Sequence, residues 1–80
     1  MTPSQCRAAR GLIRWTQEEL AQKAAVSIVT VRNFELEKSA PIRATIEAMR
    51  RGLESAGVEF IAENGGGPGV RLRKTKGKPK

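Results

Sequence analysis

The side chains able to do chemistry in this chain gather in one stretch, and their types suit reading a surface better than transforming a substrate. Arg32 and Asn33 stand together, with Ser27, Ile28, Val29 and Thr30 just before them. An arginine fork matches the O6 and N7 acceptors of guanine, and an asparagine amide brackets the edge of adenine. Each such contact is worth about 1–3 kcal/mol of discrimination. Ile28 and Val29, two β-branched aliphatics opening a polar run, suit contact with thymine methyl groups; ordinary surface or a protein interface is the plainer alternative. Catalysis is the weakest reading. There is no His and no Asp, and the eight acidic residues are glutamates scattered along helices and turns, so no nucleophile and base are set together. The single cysteine, Cys6, makes neither an internal disulfide nor a cysteine-rich metal site. No metal or cofactor is expected.

A second set of residues has the chemistry of phosphate contacts. Gln17 falls at a helix start, where free N–H groups and the positive end of the helix dipole suit an anion. Thr30, Lys38, Ser39 and Arg43 lie on or just beyond the segment that holds Arg32. Lys38 and Arg43 are equally readable as ordinary solvated charges.

The elements that must hold these residues are signalled locally. Thr16 with Glu19 three residues later forms a capping box, starting a helix over about 17–24. Ser27 is a second N-cap and starts a helix over about 28–37. Leu20, Ala24, Val26, Val31 and Phe34 then turn inward, and the small Ala21 lets two steeply crossing helices approach. This is a helix-turn-helix, whose outward set is Ser27, Ile28, Val29, Arg32, Asn33 and Leu36.

Gln17-Glu18-Glu19-Leu20-Ala21, Val26-Ser27, Thr30-Val31 and Phe34-Glu35 resemble the phage-repressor-like (Cro/XRE-type) DNA-binding family, from about Gln5 to Leu53. The resemblance implies a structural ion pair between Arg10 and Glu35 and a DNA-backbone contact at Gln17. The chain departs from the family at Ala25, where glycine is usual. A left-handed backbone there costs a non-glycine residue roughly 1–2 kcal/mol.

Elsewhere, Thr2-Pro3-Ser4-Gln5 opens a first helix running to about Ile13, with Cys6, Ala9, Leu12 and Ile13 inward and Trp15 half-buried beyond it. Ile42, Ile46, Met49, Leu53 and Ala56 mark a fourth helix over about 43–56, stopped by Gly57, with Arg50 and Arg51 favouring its dipole. Val58–Ala62 and Val70–Arg73 are strand-like runs around a turn at 64–69. The glycines there lack the strand-then-helix setting of a phosphate loop. The expected architecture is mainly α: a four-helix repressor-like helix-turn-helix domain over 1–57, a β-hairpin over 58–74 for packing or dimerisation, and a disordered basic tail over 75–80. The hairpin is expected to pack on the fourth helix or to pair with the hairpin of a second subunit.

With 80 residues and a net charge of +7, the chain is one small domain suited to an acidic partner and to dimerisation. Residues 70–80 hold six of the basic residues and no acid, while 1–69 carry nine basic against eight acidic residues. A DNA-binding face in the body must therefore come from placement. The expected function is transcriptional regulation, as a repressor, by a homodimer on a palindromic operator in the cytoplasm, at the bacterial nucleoid. The competing reading is an antitoxin or adaptor that binds a protein through the hairpin and DNA for autoregulation. No membrane span or signal peptide is expected.

Overall fold

The computed structural model describes residues 1–73. Four helices precede a two-stranded antiparallel hairpin: α1 (Pro3–Ile13), α2 (Gln17–Ala24), α3 (Ile28–Glu35), α4 (Arg43–Ser55), β1 (Val58–Ile61) and β2 (Gly69–Leu72). The basic tail expected over 75–80, and Lys74 before it, lie outside the described residues.

The first three helices start where the caps are. Thr2 with Gln5, and Thr16 with Glu19, form complete capping boxes, and the Ser27 hydroxyl accepts the Thr30 N–H. Each of these helices is then turned off by a left-handed residue that is not glycine: Arg14 (φ 60°), Ala25 (φ 58°) and Glu37 (φ 61°). At Ala25 the reversal is closed by hydrogen bonds from the Val26 N–H to the Ala21 carbonyl and from the Ala25 N–H to the Gln22 carbonyl. That is the Schellman arrangement, which favours glycine at its left-handed position. The same pattern at Glu37 explains why α3 ends at Glu35 instead of near residue 37: the Lys38 N–H turns back to the Asn33 carbonyl. Because Ala25 holds an angle that glycine adopts freely, Ala25→Gly should raise stability by about 0.5–1 kcal/mol, the steric relief exceeding glycine's extra chain entropy. A urea midpoint unchanged or lowered would contradict this.

The core joins Cys6 and Ala9 of α1, Leu20, Ala21 and Ala24 of α2, Val31 and Phe34 of α3, Met49 and Leu53 of α4, and Val58 of β1. Trp15 is half-buried against it, as expected. Two expected core residues are outside. Leu12 is 41% exposed because the buried stripe of α1 runs through Gln5, Cys6 and Ala9, leaving residue 12 at its margin. Ile42 is 73% exposed because it is the extended N-cap residue of α4, one step before the helical face is set.

The hairpin pairs Val58 with Leu72, Glu59 with Arg71, Phe60 with Val70 and Ile61 with Gly69. Val58, Phe60 and Val70 are packed into or against the core, and the hairpin rests on α1 as well as on α4. Its apolar face is thus covered within the chain except at Leu72, opposite Val58, which is 52% exposed. Gln5 makes the junction: its amide nitrogen donates to the Gly69 carbonyl at 2.9 Å and the Ile61 carbonyl at 3.3 Å, while its amide oxygen accepts the Thr2 N–H at 2.9 Å. One side chain both caps α1 and clamps the turn end of the hairpin. Gly57, at φ 103°, turns the chain from α4 into β1.

Candidate nucleic-acid interface

The surface that faces outward from α3 is set by a buried polar cluster behind it. Glu35, the last residue of α3, is 2% exposed, and its carboxylate accepts four hydrogen bonds. Arg10 donates to both oxygens at 2.7 Å, Gln17 donates to Oε1 at 3.0 Å, and the Cys6 thiol donates to Oε2 at 3.1 Å. Arg7 donates to the Glu35 backbone carbonyl, and Arg10 reaches the Trp15 carbonyl at 2.9 Å. The C-terminal end of α3 is therefore tied to α1, to the α1–α2 connection and to the start of α2. A bidentate arginine–carboxylate contact fixes direction as well as distance, so the cluster sets the angle at which α3 leaves the core.

The protonation of this cluster follows from its burial. Burial alone pushes the Glu35 carboxyl up, but hydrogen bonds from Arg10, Gln17 and Cys6, with the Arg10 charge, outweigh it and hold it below its ordinary value. Arg10 is raised by its hydrogen bond to Glu35. The Cys6 thiol is pushed up by burial and then by the Glu35 hydrogen bond and charge, which keeps it a protonated donor and not a reactive thiolate. A carboxyl lowered on folding contributes its stability fully above the unfolded value of about 4.3, and that contribution is lost as pH falls through the lower folded value. Acid titration of stability in Glu35→Gln should accordingly be flatter below about pH 4.5 than in the parent chain. Parallel curves would mean that Glu35 does not carry the acid sensitivity.

The outward residues differ from one another in what remains free. Arg32 is exposed with no partner among the described residues, and Val29 is 51% exposed. Ser27 and Thr30 are committed to the cap: the Ser27 hydroxyl accepts the Thr30 N–H at 3.0 Å and lies 2.9 Å from the Thr30 hydroxyl. Asn33 is half-buried. Ile28, expected to stand free beside Val29, is half-buried and packed against the core. It shares the i, i+3, i+7 line of Val31 and Glu35, two of the three buried residues of α3, which is a helical pattern readable from the sequence. The Gln17 side-chain amide is engaged with Glu35, while the donors expected to suit an anion at that position are the first backbone N–H groups of α2.

Lys38, Ser39 and Arg43 are exposed in the connection that follows α3 and at the start of α4. Arg10 and Glu35 form the expected ion pair. The added partners Cys6 and Arg7 had no such reading in the sequence, although Arg7 and Arg10 lie one helical turn apart and point to a common acceptor.

The cations around the hairpin are arranged differently. Arg50 pairs with Glu54 at 3.0 Å and lies over the Phe60 ring, 5.2 Å from its centre, instead of serving the dipole of α4. Arg71 pairs with Glu59 at 2.6 Å across the strands, and Arg73 donates to the Glu54 carbonyl at 2.6 Å. These side chains are turned back onto the chain. The side chains of Arg32, Lys38 and Arg43, by contrast, have no hydrogen-bond or ion-pair partner among the described residues and follow one another along α3, the connection after it and the start of α4.

No family model matches the chain, and no curated protein matches it. Among the described residues no helix is long and apolar enough to cross a membrane.

Proposed function

We propose that the chain is a sequence-specific double-stranded-DNA-binding protein of the Cro/XRE type, a bacterial or phage transcriptional regulator acting as a repressor in the cytoplasm. The second helix of the motif, α3, enters the major groove and presents Val29, Arg32 and Asn33 to base edges, with Ser27 and Ile28 at its entry. Backbone N–H groups at Gln17, and Thr30, Lys38, Ser39 and Arg43, meet phosphates on either side. One domain covers only a few base pairs. Two copies are therefore placed on a palindrome with half-sites about 34 Å, or one turn, apart.

The observation that carries this reading is the contrast between the two sides of α3. Behind it, Glu35 is locked by Arg10, Gln17 and Cys6. In front, Arg32 and Val29 stand exposed, and the only carboxylate of α3 is the buried one. A helix held rigidly from behind, with an uncommitted cation and no exposed acid of its own, is matched to an anionic groove.

Selection of bound duplexes from a random library, repeated at two salt concentrations, tests the reading. A palindromic motif should emerge with half-sites about one turn apart, and affinity should fall log-linearly with salt. Salt-sensitive binding without any motif would reduce the DNA contact to charge alone, and no binding would remove it.

A further inference from the structure

The exposed line of α3 is chemically narrower than its sequence implies. Ser27 and Thr30 satisfy each other, Ile28 is turned against the core and Asn33 is half-buried. What remains fully outward is Val29 and Arg32, with Leu36, 57% exposed, one turn beyond. Positions 29, 32 and 36 fall at i, i+3 and i+7, one line along a helix. Side chains three residues apart have Cβ atoms about 5–6 Å from each other, within reach of two successive bases at a spacing of about 3.4 Å. One member of the pair is a forked cation and the other a branched hydrocarbon.

We propose, resting on the DNA-binding reading above, that Val29 and Arg32 together read two adjacent bases, one a guanine and the other a pyrimidine bearing a C5 methyl group. The pyrimidine is thymine or, equally, 5-methylcytosine. Arg32 places its donors on guanine O6 and N7, the acceptor pair that an arginine fork fits. Val29 has no hydrogen-bonding group, and the pyrimidine methyl is the apolar feature that the major groove offers it. Thymine and 5-methylcytosine carry that methyl at the same ring position, so the pair distinguishes methylated from bare pyrimidines more sharply than thymine from methylcytosine. Val29 is the specificity-determining residue of this step. Its exposure leaves it free of any part in the core.

The test uses the full chain and a duplex enriched from the random library. Deoxyuridine replaces each thymine that neighbours a guanine in turn, and the same position is also made as cytosine and as 5-methylcytosine. Removal of one methyl should weaken binding about three- to fivefold, the value of one buried methyl-sized group, and 5-methylcytosine should bind better than cytosine by a similar factor. In Val29→Ala and in the equally branched Val29→Thr, the deoxyuridine effect should shrink toward nothing or be clearly reduced, respectively. An enriched site in which no thymine neighbours a guanine would overturn the proposal, as would deoxyuridine at every thymine with undiminished affinity. Either result leaves the DNA-binding reading standing. A library that yields no enriched sequence overturns both.

Discussion

Glu35→Ala is expected to cost about 3–5 kcal/mol of folding stability, the penalty for removing one partner of a buried ion pair. The figure should fall toward the lower end, because the Arg10 side chain keeps 19% of its surface exposed and regains some water. The loss is nevertheless large for a small domain, whose total stability is about 5–15 kcal/mol. The substitution removes more than an ion pair. Arg10, Gln17 and Cys6 lose a shared acceptor, and α3 loses its attachment to the start of α2. Replacing both charges by apolar residues of similar size, Arg10→Met with Glu35→Leu, should recover much of the loss, since a buried pair often contributes little beyond what packing supplies. Denaturant unfolding of the two single variants and the double variant measures the coupling directly. Additive losses would mean that Arg10 and Glu35 do not act as a unit. Full stability in Glu35→Ala would mean that the cluster does not hold the fold.

Arg32→Ala should leave stability within about 0.5 kcal/mol, as befits an exposed residue, and cost about 1–3 kcal/mol of discrimination at one base position in each half-site. Lys38→Ala and Arg43→Ala should behave otherwise. Each should weaken binding by a similar factor on all sequences and lower the slope of log affinity against log salt by about 1. The contrast separates reading from gripping, which loss of affinity alone does not do. Titrations of the enriched duplex and a scrambled duplex, at several salt concentrations, supply both quantities. An Arg32→Ala variant weakened equally on both duplexes would move Arg32 from the base-reading set to the phosphate set.

The helix starts were legible in the sequence because each is a local event. Thr2 with Gln5, Thr16 with Glu19, and Ser27 each answer backbone donors within three residues, and such signals do not depend on the rest of the fold. Helix ends were harder to read. Glu37 and Arg14 take left-handed angles with no glycine to announce them, so α3 is shorter than its residue types imply. At Ala25 the family resemblance, which puts glycine there, disclosed the left-handed position that composition concealed. In the core, the apolar period found Val31, Phe34, Met49 and Leu53 but also picked out Leu12 and Ile42. Periodicity marks a face of a helix, whereas the neighbours decide how much of it is covered.

The candidate site divides in the same way. The Arg10–Glu35 pair came from the family resemblance, and the structure contains it. The claims of Gln17, Cys6 and Arg7 on Glu35 depend on three elements meeting, and distances between elements are not written in local sequence. Gln17 therefore read only through the backbone N–H groups of a helix start, and nothing local announced that a buried carboxylate on α3 takes its side-chain amide. Gln5 read only as a cap, yet the same amide holds two carbonyls of a hairpin 56 and 64 residues away.

The most direct test of the central claim is a backbone-amide NMR titration of the full chain with the enriched duplex. Binding through α3 predicts that the amides that move lie at the start of α2, along residues 27–33, and in the segment from Lys38 to Arg43. The β1 and β2 amides, clamped by Gln5 on the chain itself, should stay in place apart from any contact between two bound copies. Perturbation confined to the hairpin and the basic residues after it, with α3 unmoved, would contradict the account.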